Sequence, residues 1–147
     1  MSTKPGETSF DAAKAEAFAG DLVTTLNRGA LSLMISVGHR SGLFDAMSEM
    51  APATSSEIAA RTGLNERYVR EWLGAMVTGK VVEVNPATLQ FSLPAEHAAF
   101  LTRAAAADNL AVFAQYLPLL GAVEDDIVEC LGRAAEFRIR GIPGSMR

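Results

Sequence analysis

Apolar residues recur every three or four positions from near the start of the chain. Ala12, Ala15, Ala19, Leu22, Val23 and Leu26 trace one face of a helix expected over residues 10–28, with Ser9 placed to cap it. Gly29 is expected to interrupt this helix, and a second one follows over residues 30–41. From Ala30 to Val37 it is apolar nearly all round, so protein is expected on most of its sides. Ser41 and Gly42 end it, residues 43–47 make a short helical turn, and Ala51-Pro52-Ala53 reads as a loop.

The next forty residues are the most informative. Thr54-Ser55-Ser56-Glu57 has the spacing of a capping box, a hydroxyl at the cap and a carboxylate three residues on, and opens a short helix over residues 57–62. Gly63-Leu64-Asn65 is a tight turn whose asparagine caps the following helix, residues 66–78. That helix buries Val69, Trp72, Leu73, Met76 and Val77 at helical period. Gly79 is expected to stop it. Residues 80–84 and 89–93 alternate as two short strands around a tip of Asn85-Pro86-Ala87-Thr88. Helix, turn, helix and hairpin in this order make a winged helix-turn-helix. Beyond it, helices are expected over residues 94–101, over 106–117 around Leu110, Phe113 and Leu117 with Pro118 and Gly121 as breakers, and over 123–131. The last carries Glu124, Asp125 and Asp126 in its first turn, where the helix dipole favours acid. After Gly132 no period is visible and arginine and glycine dominate.

The expected fold is therefore mainly α. Residues 1–9 are read as a disordered start, 10–50 as helices of a dimerisation type, 51–93 as the winged helix with its small two-stranded hairpin, 94–131 as helices that would lead to a further domain, and 132–147 as an aberrant tail.

Composition narrows what such a fold can do. The 147 residues are 49% hydrophobic and 20% charged, enough to bury a core, and the net charge of −4 is the wrong sign for a protein that lives by holding phosphates. Over residues 54–93, Arg61, Arg67, Arg70 and Lys80 are balanced by Glu57, Glu66, Glu71 and Glu83. Glu66 stands at the end of the helix that would enter a major groove, and the wing tip carries no charge. Duplex DNA is thus an unfavoured partner, although a stand-alone winged-helix regulator is the alternative reading. Arg67 and Arg70 are expected to pair along their own helix with Glu71 or Glu66. One cysteine, Cys130, excludes an internal disulfide and reads as a packing residue, and no stretch is long and apolar enough for a signal peptide or a membrane span. The cytoplasm is the expected location.

Catalytic apparatus is missing from the pattern. His39 and His97 have no third ligand nearby, and no Gly-x-Ser-x-Gly elbow accompanies them. Glu124, Asp125 and Asp126 fit a helix N-terminus better than a paired-carboxylate site, and no glycine-rich loop follows a strand. No catalytic, cofactor-binding or metal-binding residue is assigned. A small-ligand module would need a pocket near Met34, Val37 and Phe113, for which core packing is the simpler use.

Residues 33–45, Leu33-Met34-Ile35-Ser36-Val37-Gly38-His39-Arg40-Ser41-Gly42-Leu43-Phe44-Asp45, followed by the capping box and by Gly63-Leu64-Asn65-Glu66-Arg67-Tyr68-Val69-Arg70-Glu71-Trp72-Leu73, resemble the N-terminal domain of bacterial class I S-adenosylmethionine-dependent methyltransferases that begin with a winged helix. The resemblance runs from about Phe10 to Cys130. It implies a domain that pairs two subunits and closes over the substrate side of a following Rossmann-like domain. That domain would hold S-adenosylmethionine, and the substrate of the whole enzyme would be a small molecule. No position here matches the cofactor motif, so this chain is expected to be inactive alone. Where the family continues with a glycine run and Val-Pro-Tyr-Ser-Arg-Tyr-Pro-Arg-Phe-His-Glu, this chain departs. A GC-rich back-translation of residues 132–147 can be chosen that encodes that peptide when read two bases later. The tail from about Leu131 is therefore expected to be a frameshift product, with the catalytic half lost from the reading frame.

Overall fold

The computed structural model describes residues 10–132. The start expected to be disordered, residues 1–9, and the tail read as a frameshift product, from residue 133 on, lie outside the described residues. The first helix, α1, is Ala12–Ser41, one continuous rod through Gly29 where the sequence suggested a break. A single glycine costs a helix about 1 kcal/mol relative to alanine, too little to stop one flanked by good helix formers. Asp11 caps it, accepting from the Lys14 amide at 3.0 Å, in place of the expected Ser9. Gly42, at φ 77°, ends α1 in the left-handed conformation and leads at once into α2, Leu43–Ser48.

The winged helix forms as expected, with small shifts. Thr54 caps α3, Ser55–Thr62, two residues earlier than the pattern suggested, and both arms of the capping box are made. The Glu57 amide donates to the Thr54 hydroxyl at 3.3 Å, and the Thr54 amide donates to Glu57 Oε2 at 2.7 Å. Gly63 turns the chain at φ 69°, and Asn65 caps α4, Glu66–Thr78. Gly79 does not supply the left-handed stop. Its φ is −77° and Lys80, at φ 58°, takes that role. The glycine is there for packing: a Cβ on it would come within 2.3 Å of the Leu31 side chain of α1. The strands are shorter than read, β1 Glu83–Asn85 and β2 Gln90–Ser92, antiparallel with Val84 opposite Phe91. Ala53, in the stretch read as a loop, bridges Phe91 through two backbone hydrogen bonds of 3.0 and 2.7 Å.

Beyond the wing, α5 is Ala95–Leu101. The single long helix expected over residues 106–117 is instead two 3-10 stretches, Arg103–Asp108 and Leu110–Gln115. Ala106 turns out of helical geometry at φ 50°, and the Asn109 side chain accepts from the Ala111 amide to start a new turn. Then α6, Tyr116–Ala122, runs through Pro118 and Gly121, the expected breakers. Pro118 is its third residue, where a helix has no use for the missing N–H. The last described helix, α7, is Glu124–Gly132.

The core lies between the second half of α1, α2, α3 and α4. Phe44, Leu73, Met76 and Ile58 are fully buried there. Trp72 meets Phe44 edge-on with centroids 5.2 Å apart, and its indole N–H donates to the Met34 carbonyl of α1 at 2.9 Å. Gly38 makes this approach possible, since a Cβ there would stand 2.4 Å from the Trp72 ring.

Candidate functional site

The helix that would read DNA neutralises its own charge. Arg70 pairs with Glu66 at 3.1 Å, and Glu66 also accepts from the Ser55 hydroxyl at 2.7 Å, which ties α4 to α3. Arg61 pairs with Glu49 at 3.2 Å. The wing tip, residues 86–89, is a turn in which Asn85 accepts from the Ala87 amide, and it carries no charge. Glu57 is held below the ordinary carboxylate range by the Thr54 backbone N–H and then by the Thr54 hydroxyl, a consequence of capping and not of a reactive site.

Neither histidine stands in a metal or catalytic cluster, and no group of three or more potential ligands occurs among the described residues. His39 is buried at the end of α1, and its Nδ1 has no hydrogen-bond partner. His97 Nδ1 meets the Val81 carbonyl at 2.8 Å and fastens α5 beneath the wing. Cys130, a free thiol on α7, is only partly covered and so is not the packed residue the sequence suggested. Glu124, Asp125 and Asp126 fill the first turn of α7 as expected. Met34 and Phe113 line different hollows among the described residues. Met34 lines a groove of about 650 Å³ between α1 and α4, Phe113 lines a hollow of about 320 Å³ with Ser32 and Ile35, and Val37 lines neither.

One tertiary link was invisible in the sequence. Arg103, 58 positions from Asp45, grips both carboxylate oxygens of that residue through its amide and its guanidinium, and gives a further 2.8 Å hydrogen bond to the His39 carbonyl. It pins the start of the C-terminal helices to the junction of α1 and α2.

What the chain presents to its surroundings is apolar. Along α1, Phe18, Leu22, Val23, Leu26, Leu33 and Val37 are all exposed, Phe18 to 67% and Leu26 to 64%. The surroundings expected for residues 30–37 are present on most sides, with Leu31, Met34 and Ile35 packed inward and Ser36 buried, while Leu33 and Val37 face out. A second bare face lies on the C-terminal elements, with Phe113, Leu119, Leu120, Val128 and Leu131 exposed. From residue 104 to 132 the chain has five acids and no lysine or arginine. Apolar faces of this extent mark surfaces that something else covers. No helix among the described residues is long and apolar enough to cross a membrane.

A family model described as Rv2258c-like winged HTH domain matches residues 29–103. Among solved structures, the S-adenosylmethionine-dependent methyltransferase SibL in its apo form is 26% identical at a TM-score of 0.61, over 86% of this chain and 37% of its own. The mitomycin 7-O-methyltransferase MmcR is 26% identical at 0.51, over 61% of this chain and 26% of its own. PigF with SAH shares the fold at 21% identity and 0.61, over 75% of this chain and 33% of its own. The chain thus spans between about a quarter and somewhat over a third of these proteins' lengths, and the part it matches is their N-terminal domain. No curated protein sequence matches it significantly.

Proposed function

We propose that this chain, which belongs to the Rv2258c-like winged helix-turn-helix domain family, acts as the non-catalytic N-terminal domain of a small-molecule methyltransferase, pairing two copies and covering the substrate side of a cofactor-binding domain. One observation carries this reading. The winged helix has as many acids as bases, with Arg70 paired to Glu66 and Arg61 to Glu49 just before it, and its wing tip is uncharged, while long apolar faces stand bare on both sides of it. In the proposed assembly, residues 10–50 take the second copy and the face on residues 110–131 lies against the cofactor-binding domain. The names of two structures at 26% identity, SibL and MmcR, support the methyltransferase context. A reducing, cytoplasmic setting suits the free thiol of Cys130.

The described residues do not fit S-adenosylmethionine itself. Their sheet is a two-stranded antiparallel hairpin, and no glycine-rich loop leads from a strand into a helix. The cofactor would therefore be held by another domain, and no step of methyl transfer is assigned to these residues.

Light scattering on the purified chain at micromolar concentration tests the reading, with a dimer expected and a clean monomer overturning the pairing role. The same material titrated against duplex DNA should show no binding that falls steeply with salt. Such a salt dependence would instead favour the transcriptional regulator.

A further inference from the structure

We propose that two copies pair through α1 in antiparallel fashion about a two-fold axis beside Asn27 and Arg28, so that Phe18 of each copy meets Val37 of the other, Leu22 meets Leu33, and Leu26 meets Gly29. This rests on the pairing role above and supplies its geometry.

Four observations lead to it. First, the exposed apolar residues form one stripe. At 100° per residue, Ala15, Ala19, Leu22, Leu26, Gly29 and Leu33 fall on one side of α1, while Leu31, Met34, Ile35 and Gly38 fall on the other and pack into the chain's own core. The alternating four- and three-residue steps of the stripe are those of a helix seam that takes a second helix. They persist along most of a rod about 45 Å long. Leu33 and Val37 stay exposed, to 41% and 42%, even where the opposite face of α1 is covered, so the stripe's large side chains stay open along its length, with only Ala15 and Gly29 half-buried.

Second, the stripe is self-complementary. Phe18 and Val37, Leu22 and Leu33, and Leu26 and Gly29 are each equidistant from the midpoint between residues 27 and 28. A two-fold axis at that midpoint places the members of every pair opposite each other, as an isologous interface requires.

Third, charge favours the antiparallel arrangement. Residues 11–21 carry Asp11, Glu16 and Asp21 against Lys14 alone, whereas residues 22–41 carry Arg28 and Arg40 and no acid. Antiparallel pairing sets Arg40 of each copy level with residue 15 of the other, next to Glu16 in its acidic half, while Arg28 lies at the axis beside its own counterpart. A parallel pair would put acid on acid and base on base.

Fourth, the arrangement gives Gly29 a purpose. A glycine in a helix interior weakens the helix, and nothing in this chain asks for one: Gly29 is in mid-helix, its φ is not positive, and a Cβ there would meet no atom within 4 Å. Beside a two-fold axis, its missing side chain lets the backbones approach closely and makes room for Leu26 of the other copy. Gly20, on the far side of the helix and equally unconfined, is not explained by this arrangement.

The test uses the full chain with Cys130→Ser, so that introduced thiols are the only ones. Mild oxidation of the Leu22→Cys, Leu33→Cys double variant is expected to link two copies covalently. Leu22→Cys alone is expected not to link, because the two residues 22 would lie roughly 16 Å apart along the axis, beyond disulfide reach. Gly29→Ala should raise the helix content of the diluted monomer yet weaken the dimer about tenfold, by placing a methyl group at the close approach. Rapid linking of Leu22→Cys alone overturns the antiparallel register while leaving the pairing role intact. A dimer in which neither variant links overturns the α1 stripe as its interface. Tighter association of Gly29→Ala removes the close approach, and a monomeric chain removes the pairing role with its geometry.

Discussion

Helix α4 and the paired helices α6 and α7 carry the same kind of pattern and meet opposite fates. In α4, Val69, Trp72, Leu73 and Met76 are all at or below 4% exposure. In α6 and α7, Leu119, Leu120 and Val128 are just as apolar and are 60–62% exposed. Periodicity states that a helix has an apolar face. It does not state whether the chain itself contains the surface that covers it. The winged helix is closed by elements of this chain, the second half of α1 and α2 among them, while the outer faces of α1, α6 and α7 are complementary to something else.

The largest expected effect tests that contrast directly. Leu73→Ala should cost the chain about 2–5 kcal/mol in urea unfolding, because it opens a cavity in a closed core. Leu120→Ala should stay within about 0.5 kcal/mol, since that side chain leaves water little changed on folding. Equal losses would break the comparison. Next come two glycines. Gly38→Ala drives a methyl group into Trp72 and Phe44 and should cost about 1–3 kcal/mol or more. Gly121→Ala, in open space on α6, should stabilise by about 0.5–1 kcal/mol through helix propensity. Circular dichroism melts of the two variants should move in opposite directions. The smallest effect belongs to the exposed capping box. Because Glu57 titrates lower folded than unfolded, its contribution is present above the ordinary value of 4.5 and is lost as pH falls through the lowered folded value. Glu57→Gln should flatten that part of the acid dependence of stability and leave the melting temperature at pH 7 slightly lower.

The same contrast explains what could be read from the sequence. The winged helix was legible because its signals are local and redundant: Thr54 and Glu57 cap each other, Gly63 and Asn65 turn the chain, and the period from Val69 to Met76 is closed by neighbouring elements. Outside it, local signals misled where tertiary geometry decided. Gly29 looked like a break, yet α1 continues, because one glycine costs less than the packing of the second half of the helix returns. Leu110, Phe113 and Leu117 looked like one helix. Asn109 instead starts a 3-10 stretch that holds Leu110 and Phe113 and buries Ala111 at 1% exposure, and Leu117 belongs to α6, which begins at Tyr116. Gly79 looked like a helix stop and does cap α4 at its end, but the left-handed turn falls to Lys80, and the glycine also leaves space for Leu31. The grip of Arg103 on Asp45 spans 58 positions and leaves no trace in a local window. The absence of assigned catalytic residues follows from the lack of any motif, and the bare stripe on α1 could be suspected from its apolar content, but its direction emerged only once α1 was seen as a single rod.

Trp72 has a practical consequence. It is the chain's one tryptophan, sealed at 4% exposure against Phe44 and fastened to the Met34 carbonyl, whereas Tyr68 and Tyr116 are 70% and 56% exposed. The indole is therefore an optical gauge of a single joint, the seam where α4 meets α1. If the outer helices unravel before the winged helix does, far-ultraviolet ellipticity will fall while indole emission holds steady, and the gap between the two curves will measure how independently the closed and open parts of this molecule melt.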